Sequence, residues 1–199
     1  MADSYLYKDL FRIESIKKPD LIIKLLQLLS YQVGNEVSYN ELAQNLSSDP
    51  KTIEKYIGLL EKTFVLFRLQ ALSRNLRNEV KKSRKIYFYD NGIRNAIINN
   101  FNSVNTRQDI GALWENYIIS ERIKYGAYQR IHSNRFFWRT KQQQEIDYIE
   151  ERAGKMWAYE FKYNALKKSN LSRTFINAYP EHNFQVINPD NYAEFLMPE

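Results

Sequence analysis

The sequence of 199 residues predicts a mixed fold of helices and strands (α/β, of the α+β kind) in two parts. Apolar residues recur at helical spacing through the first third of the chain, where the connections are short. Runs of strand-like residues separated by polar turns dominate residues 136–163 and predict three short strands. A chain of this length accommodates one compact domain or two small ones.

The composition narrows the class of protein. With 44% hydrophobic and 26% charged residues, the chain has the composition of a soluble globular protein. The absence of cysteine excludes disulfides and cysteine metal sites, which fits a cytoplasmic location. No apolar run approaches the roughly 18 residues of a membrane span, and no signal peptide is recognisable, so we expect no membrane association. The formal charge of +6 favours an acidic partner such as nucleic acid, although moderately basic proteins without one are common.

Start signals of successive helices mark the first part of the chain. Ser38 and Glu41 have the spacing of a capping box, and Asp49 followed by Pro50 is a typical helix start. The earliest segment is more typical of the tail of a preceding domain than of the beginning of one. The predicted helices are Tyr5–Ile13, Leu21–Tyr31, Tyr39–Leu46 and Lys51–Phe64.

Two strand-like runs, Val65–Leu72 and Lys85–Tyr89, follow these helices and flank the basic loop Ser73–Arg84. The order helix, helix, helix, strand, loop, strand is that of a winged helix, in which the third helix can enter a major groove and the loop can follow the phosphate backbone. We therefore predict DNA binding; the alternative is a winged helix that binds a protein or another domain of its own chain. The predicted nucleic-acid contacts are Lys51, Lys55, Arg74, Arg77, Lys81, Lys82, Arg84 and Lys85.

A polar stretch at Phe101–Arg107 has the composition of a linker, so we place a domain boundary near Asn105, between residues 1–104 and 105–199. The elements predicted around and after it are the helix Ile93–Asn99 capped by Asp90, the helix Ile110–Lys124 capped by Asp109, the strands Phe136–Arg139, Glu145–Glu150 and Met156–Tyr163, the helix Lys167–Tyr179 and the strand Asn183–Ile187. The long helix is predicted to bury one stripe, formed by Ile110, Leu113, Trp114, Tyr117 and Ile118.

The three central strands are predicted to bring ionisable side chains together. Successive side chains of a strand point to opposite faces, so Glu160 and Lys162 share a face. If the last two strands pair as a hairpin across Arg152–Lys155, Asp147 lies beside Glu160 on that face. Two carboxylates and a lysine can bind a divalent cation such as magnesium, and the lysine can orient a water or offset phosphate charge. A set of salt bridges is the structural alternative.

The second half resembles the restriction-endonuclease-like, PD-(D/E)xK nuclease superfamily, whose core has this same αβββαβ order. That family carries an acid on the first helix, an acid on the second strand and Glu-x-Lys on the third; here they are Glu115, Asp147, Glu160 and Lys162. No proline precedes Asp147, which departs from the motif. The resemblance implies a magnesium or manganese ion on Asp147, Glu160 and the carbonyl of Phe161. It further implies that Glu115 supports the site through water. Lys162 would position the attacking water or stabilise the charge on the phosphorane.

Most of the chain is also similar to the C-terminal region of a group of prokaryotic AAA-type ATPases, in which a winged helix and a nuclease-like domain of unknown function follow a P-loop ATPase. The stretches that carry this similarity are YLYKDLF, VSYNELAQNL, TIEKYIGLLEKTFVLFRL, SRNLRNEVKKSRKIYFYDNGIRNAI, GALWENYIISERIK and WRTKQQQEIDYIEE. The phosphate-binding motif G-x-x-x-x-G-K-[ST] is absent, so no ATP site is assigned here and the ATPase domain is an expected partner.

Two functions of different kinds follow from these observations. The first is a metal-dependent nuclease that cleaves DNA phosphodiesters. The second is a catalytically inactive nuclease-fold scaffold that binds DNA or a protein partner; a sequence-specific transcription factor would rest on the winged helix alone. Seven aromatic residues are expected to pack the core, with base stacking as their alternative role: Tyr128, Phe136, Phe137, Trp138, Trp157, Tyr159 and Tyr163.

Overall fold

A computed structural model describes residues 18–74 and 83–197 of the chain. Within these ranges the protein contains seven α-helices and six strands, so the predicted mixed α/β class is confirmed. The helices are α1 (Pro19–Tyr31), α2 (Tyr39–Asn45), α3 (Pro50–Lys62), α4 (Asn91–Ile97), α5 (Ile110–Tyr128), α6 (Arg173–Ala178) and α7 (Tyr192–Leu196). The strands are β1 (Leu66–Ala71), β2 (Arg84–Phe88), β3 (Asn134–Arg139), β4 (Glu145–Arg152), β5 (Lys155–Phe161) and β6 (His182–Ile187). The helix predicted at Tyr5–Ile13, and the basic residues Arg77, Lys81 and Lys82, lie outside the described residues.

Two compact units divide the chain. Unit 1 contains the residues up to Arg68 together with Lys85–Gln108, and unit 2 contains Leu69–Arg84 together with Asp109–Glu199. None of the helices in the described ranges is long and apolar enough to cross a lipid bilayer.

The predicted helix starts of unit 1 are present as hydrogen bonds. The Ser38 hydroxyl accepts the N–H of Glu41 at 3.3 Å, and the Asp49 carboxylate accepts the N–H of Thr52 at 2.9 Å. Each bond satisfies an N–H group that has no partner within its own helix, which typically stabilises a helix by about 1 kcal/mol. The apolar faces of α1 and α3 are fully buried, through Ile22, Leu25, Leu26, Leu29, Ile53, Ile57 and Leu60.

Unit 2 is built on a mixed sheet with strand order β1-β3-β4-β5-β6. The end of β1 pairs in parallel with β3, the three central strands are antiparallel, and β6 returns parallel to β5. The predicted order of helix, three strands, helix and strand is therefore confirmed for α5, β3–β5, α6 and β6. The hairpin of β4 and β5 closes at Arg152 and Lys155 as predicted, with Ala153 and Gly154 in the left-handed region at φ 48° and 73°.

Helices cover both faces of this sheet. Phe175 of α6 packs edge-on against Trp138 with ring centroids 5.1 Å apart, in a core that includes Ile149 and Ala158. Phe195 of α7 packs against Tyr159 at 4.6 Å. Because neighbouring strand residues point to opposite faces, α6 and α7 lie on opposite sides of the sheet.

Three sequence-based predictions about unit 2 are wrong, and one of its helices was not predicted. The helix predicted at Lys167–Tyr179 begins only at Arg173, because the Ser172 hydroxyl caps it by accepting the N–H of Phe175 at 3.2 Å. The side chain of Asp109 makes no capping bond at the start of α5. Tyr117 is 38% exposed rather than buried, because the five-residue helix α7 covers its side of α5 incompletely. Helix α7 itself has no counterpart among the predicted elements.

Candidate functional site

Asp147 lies at an irregularity of the sheet. Phe136 and Trp138, two residues apart on β3, face Ile149 and Ile146, three residues apart on β4. Strand β4 therefore carries one extra residue between Ile146 and Ile149, which is the count of a β-bulge. Bulges turn a side chain away from the regular alternation of a strand, and Asp147 lies within this one.

The Asp147 carboxylate forms a hydrogen bond at the point where the regular pairing of β4 and β5 ends. Regular pairing of the two strands ends at Tyr148 and Tyr159. Beyond this pair, Oδ2 of Asp147, the residue before Tyr148, accepts the N–H of Phe161, two residues after Tyr159, at 2.8 Å. The Asp147 side chain is only 14% exposed. The bond fixes the carboxylate at the open end of the hairpin and satisfies a donor at the end of β5.

Glu160 and Lys162 complete a compact group with Asp147. Nζ of Lys162 donates to Oε2 of Glu160 at 2.7 Å and lies 3.9 Å from Oδ2 of Asp147. The backbone holds the lysine in place, because its N–H donates to the carbonyl of Ile187 on β6 at 2.9 Å. Three of the four predicted site residues therefore converge.

Burial and charge set the protonation of this group. Burial is the main cause that raises the pKa of Glu160 above its ordinary value, and the negative charge of Asp147 adds to it, while the bond from Lys162 works in the opposite direction. Burial also opposes the charge of Lys162. This effect of burial is outweighed by the hydrogen bond to Glu160 and by the negative charges of Asp147, Glu160 and Glu115. The pKa of Lys162 therefore lies above its ordinary value. The lysine is therefore charged at neutral pH, which suits stabilisation of negative charge rather than proton abstraction.

The remaining predicted acid, Glu115 on α5, acts on this group through its field at Lys162. In the described part of the chain, no three residues of the His, Cys, Asp and Glu types form a cluster that could hold a metal ion. The pair Asp147 and Glu160 still fits magnesium or manganese by its donor chemistry, because such ions are commonly held by one or two carboxylates, with water and substrate phosphates as the other ligands.

Ser169 is an additional neighbour of the site that was not predicted from the sequence. Its side chain lies near enough to the Glu160 carboxylate to act against the rise in its pKa. It lies in the segment before α6 that the sequence predicted to be helical, so no local pattern pointed to a contact with β5.

The predicted nucleic-acid contacts have different environments. Lys51 and Lys55 are exposed on α3 of unit 1. In unit 2, the Arg74 guanidinium forms two bonds with the Glu151 carboxylate, at 2.8 and 2.9 Å, and Arg84 is half-buried. Lys85 is only 2% exposed at the start of β2, so a phosphate contact through its ammonium is wrong as a prediction. The burial of Lys85 was not predicted, because the basic run of the sequence continues directly into a buried strand.

Comparison with known proteins gives relatives without assigned functions. Residues 1–104 match the family of a domain of unknown function, DUF8612, and residues 110–195 match a second domain of unknown function, DUF4143. The chain is 26% identical over 137 residues to the uncharacterized protein Rv2008c of Mycobacterium tuberculosis, a match that covers 68% of this chain and 30% of that protein. It is 30% identical over 99 residues to the uncharacterized protein MJ1637 of Methanocaldococcus jannaschii, which covers 49% of this chain and 21% of that protein. The matched segments thus span less than a third of these relatives, and no solved structure matches the chain.

Proposed function

The chain belongs to the family of the domain of unknown function DUF8612, and we propose that its unit 2 is a divalent-metal-dependent nuclease-like domain that cleaves nucleic-acid phosphodiesters. One observation carries the proposal: Asp147, Glu160 and Lys162 converge at the open end of the β4–β5 hairpin. The order of α5, β3–β5, α6 and β6 agrees with the PD-(D/E)xK core that the sequence resembles.

Each side chain has a distinct task in this proposal. Asp147 and Glu160, with the carbonyl of Phe161, hold the magnesium or manganese ion, and a bound ion would supply Lewis-acid activation of the phosphate and of water. Lys162 stays charged, orients the attacking water and stabilises the negative charge that grows on the phosphate. Glu115 adds its negative field to those of Glu160 and Asp147, which favour the protonated lysine. In this proposal it also supports the site through water.

Unit 1 is the proposed DNA-binding part. Its helices α1, α2 and α3 are followed along the chain by β1, which enters unit 2 at Leu69, and then by β2; this is the element order of a winged helix. Lys51 and Lys55 of α3 are exposed and available to phosphates. The proposed partner is an AAA-type ATPase domain, because the chain resembles the C-terminal region of such proteins and its mycobacterial relative is more than three times as long as the matched segment.

A cleavage assay tests this function. The whole chain is incubated with supercoiled, linear, single-stranded and branched DNA in the presence of manganese, magnesium or a chelator. We expect metal-dependent cleavage that is lost in Asp147→Asn and in Lys162→Gln. Glu181→Gln and Lys155→Gln are the matched controls. They remove the same charges from the residue directly before β6 and from the first residue of β5, away from the strand ends that carry the site, so both variants should cleave normally. Cleavage that persists in Asp147→Asn would refute the assignment.

A second candidate is an inactive nuclease-fold scaffold that binds DNA or a protein partner. The observation that favours it is the 2.7 Å ion pair between Lys162 and Glu160, which already compensates one of the two carboxylates. Under this proposal, no cleavage occurs with any metal, and wild type, Asp147→Asn and Lys162→Gln share the same salt-sensitive DNA binding.

A further inference from the structure

Four aromatic rings form a cluster beside the candidate site. Trp114 of α5 is the centre, with ring centroids 5.9 Å from Tyr163, 5.6 Å from Tyr192 and 6.2 Å from Tyr117. Tyr117 and Tyr192 also meet each other at 6.4 Å. We call Trp114, Tyr117, Tyr163 and Tyr192 the aromatic platform.

The platform is joined to the charged group through the chain. Tyr163 directly follows Lys162, and Trp114 directly precedes Glu115, whose field reaches Lys162. The contact between the rings of Trp114 and Tyr163 therefore links the start of α5 to the end of β5, where the carboxylates lie. The platform therefore adjoins two residues of the candidate site, Glu115 and Lys162, along the chain.

Solvent reaches the platform, which distinguishes it from core packing. Tyr163 is 40% exposed and Tyr117 is 38% exposed, whereas core aromatics of the same sheet such as Trp138 and Tyr148 are fully buried. Large apolar rings that remain exposed next to a charged site are typical of a ligand surface.

The exposed aromatic surface continues along α5. Trp114, Tyr117, Tyr125 and Tyr128 recur at helical spacing on one side of the helix and extend over about 21 Å, at 1.5 Å per residue. Beyond the platform, a cavity of about 390 Å³ lies between α5 and α7, lined by Tyr117, Tyr125, Tyr128 and Tyr192. Glu121 and Lys124 within this cavity form an ion pair, with 2.6 Å between Nζ and Oε1, so these two side chains together add no net charge.

We propose that the aromatic platform stacks the bases of single-stranded nucleic acid and that the substrate of unit 2 is a single strand or a single-stranded end. Stacking on a side chain requires a base whose face is open, and in a duplex both faces are covered by neighbouring base pairs. Base–aromatic stacking is indifferent to sequence because every base has a π-face, so the platform fits a nuclease that acts on strands of any sequence. This inference rests on the nuclease function proposed above for its consequence in cleavage, but its binding step is measurable without cleavage.

The test measures binding of the whole chain to labelled oligo-dT, oligo-U and a blunt duplex of equal length by fluorescence anisotropy, with a chelator present to prevent cleavage. We expect the platform variants to lose affinity for the single strands and to keep their affinity for the duplex, which unit 1 is proposed to bind. Loss of one stacked base contact in Tyr163→Ala or Tyr117→Ala should weaken single-strand binding by about 5- to 150-fold. The two oligonucleotides distinguish DNA from RNA as the source of the strand.

Conservative and distant variants complete the design. Tyr163→Phe and Tyr117→Phe keep the ring and should bind within about twofold of wild type. Tyr31→Ala removes a tyrosine that is 68% exposed on α1 of unit 1 and should leave affinity unchanged. Affinities measured at two salt concentrations separate stacking from phosphate contacts, because the alanine variants should lower affinity without changing the dependence on salt.

Several outcomes would overturn the inference. They are an equal loss of duplex and single-strand affinity in the alanine variants, unchanged single-strand affinity in both alanine variants, or an equal loss in the phenylalanine variants. Failure of the nuclease proposal gives a different pattern: single-strand binding that depends on Tyr163 and Tyr117, with no cleavage when metal replaces the chelator.

Discussion

The hydrogen bond from the Phe161 N–H to Asp147 gives a prediction that separates the role of Asp147 in the fold from its role in the site. Asp147→Ala leaves this N–H without its acceptor in a place where the side chain is only 14% exposed. An unsatisfied donor in such a place costs about 1–3 kcal/mol. Asp147→Asn keeps an oxygen in the same position. Both variants remove the negative charge beside Glu160, so the electrostatic effect cancels when the two are compared.

We therefore expect Asp147→Ala to be less stable than Asp147→Asn by about 1–3 kcal/mol. The measurement is urea unfolding in the presence of a chelator, where this difference corresponds to a shift of roughly 0.5–1.5 M in the midpoint. Amide hydrogen exchange at Phe161 gives a local readout, with faster exchange in the alanine variant alone. Equal midpoints and equal exchange at Phe161 in the two variants would refute the reasoning.

Three further predictions follow from other contacts. Arg122→Met leaves the Glu150 side chain, which is 2% exposed, without its 2.8 Å ion-pair partner, so unfolding experiments should show a loss of about 3–5 kcal/mol. The double change Arg122→Met with Glu150→Leu should largely recover this loss, and an undiminished stability of the single variant would contradict the prediction. Burial raises the pKa of Glu160 above its ordinary value of 4.5, so the native state binds this proton more tightly than the unfolded chain does, and the resulting stabilisation is lost as pH rises from 4.5 through the folded-state pKa. Glu160→Gln should thus gain stability relative to wild type as pH rises above 4.5 with a chelator present, and a difference that does not change with pH would be evidence against it. Lys51→Gln and Lys55→Gln should each weaken DNA binding for all sequences and reduce the slope of log affinity against log salt by about 1, whereas sequence-dependent losses with an unchanged slope would argue against phosphate contacts.

Local chemistry explains why much of the fold could be predicted from the sequence. The caps at Ser38 and Asp49 depend on residues three positions away, so their pattern is visible in the chain. The same holds for the β4–β5 hairpin, whose turn needs residues that tolerate positive φ and whose strands alternate regularly up to Tyr148. Lys162 directly follows β5 and lies two residues after Glu160, so the alternation of the strand already indicates that the two side chains share a face.

Contacts between distant segments account for what the sequence did not predict. The bulge at Asp147 exists only as a mismatch between β3 and β4, and neither strand shows it by itself. Ser169 reaches Glu160 from a loop, and the exposure of Tyr117 depends on how little of α5 the short helix α7 covers. Lys85 was expected to be exposed because it lies in a basic run of the sequence. It is buried because the strand that begins beside it is buried.

Calorimetric titration of the whole chain with manganese tests the central claim most directly, since that claim is that Asp147 and Glu160 hold a divalent cation. Wild type and the Glu181→Gln control are predicted to bind manganese with the same affinity, and Asp147→Asn, which keeps the hydrogen bond to Phe161, is predicted to lose that binding while remaining folded. Absence of heat and of thermal stabilisation at millimolar manganese in the wild type, or binding that Asp147→Asn retains in full, would contradict the account.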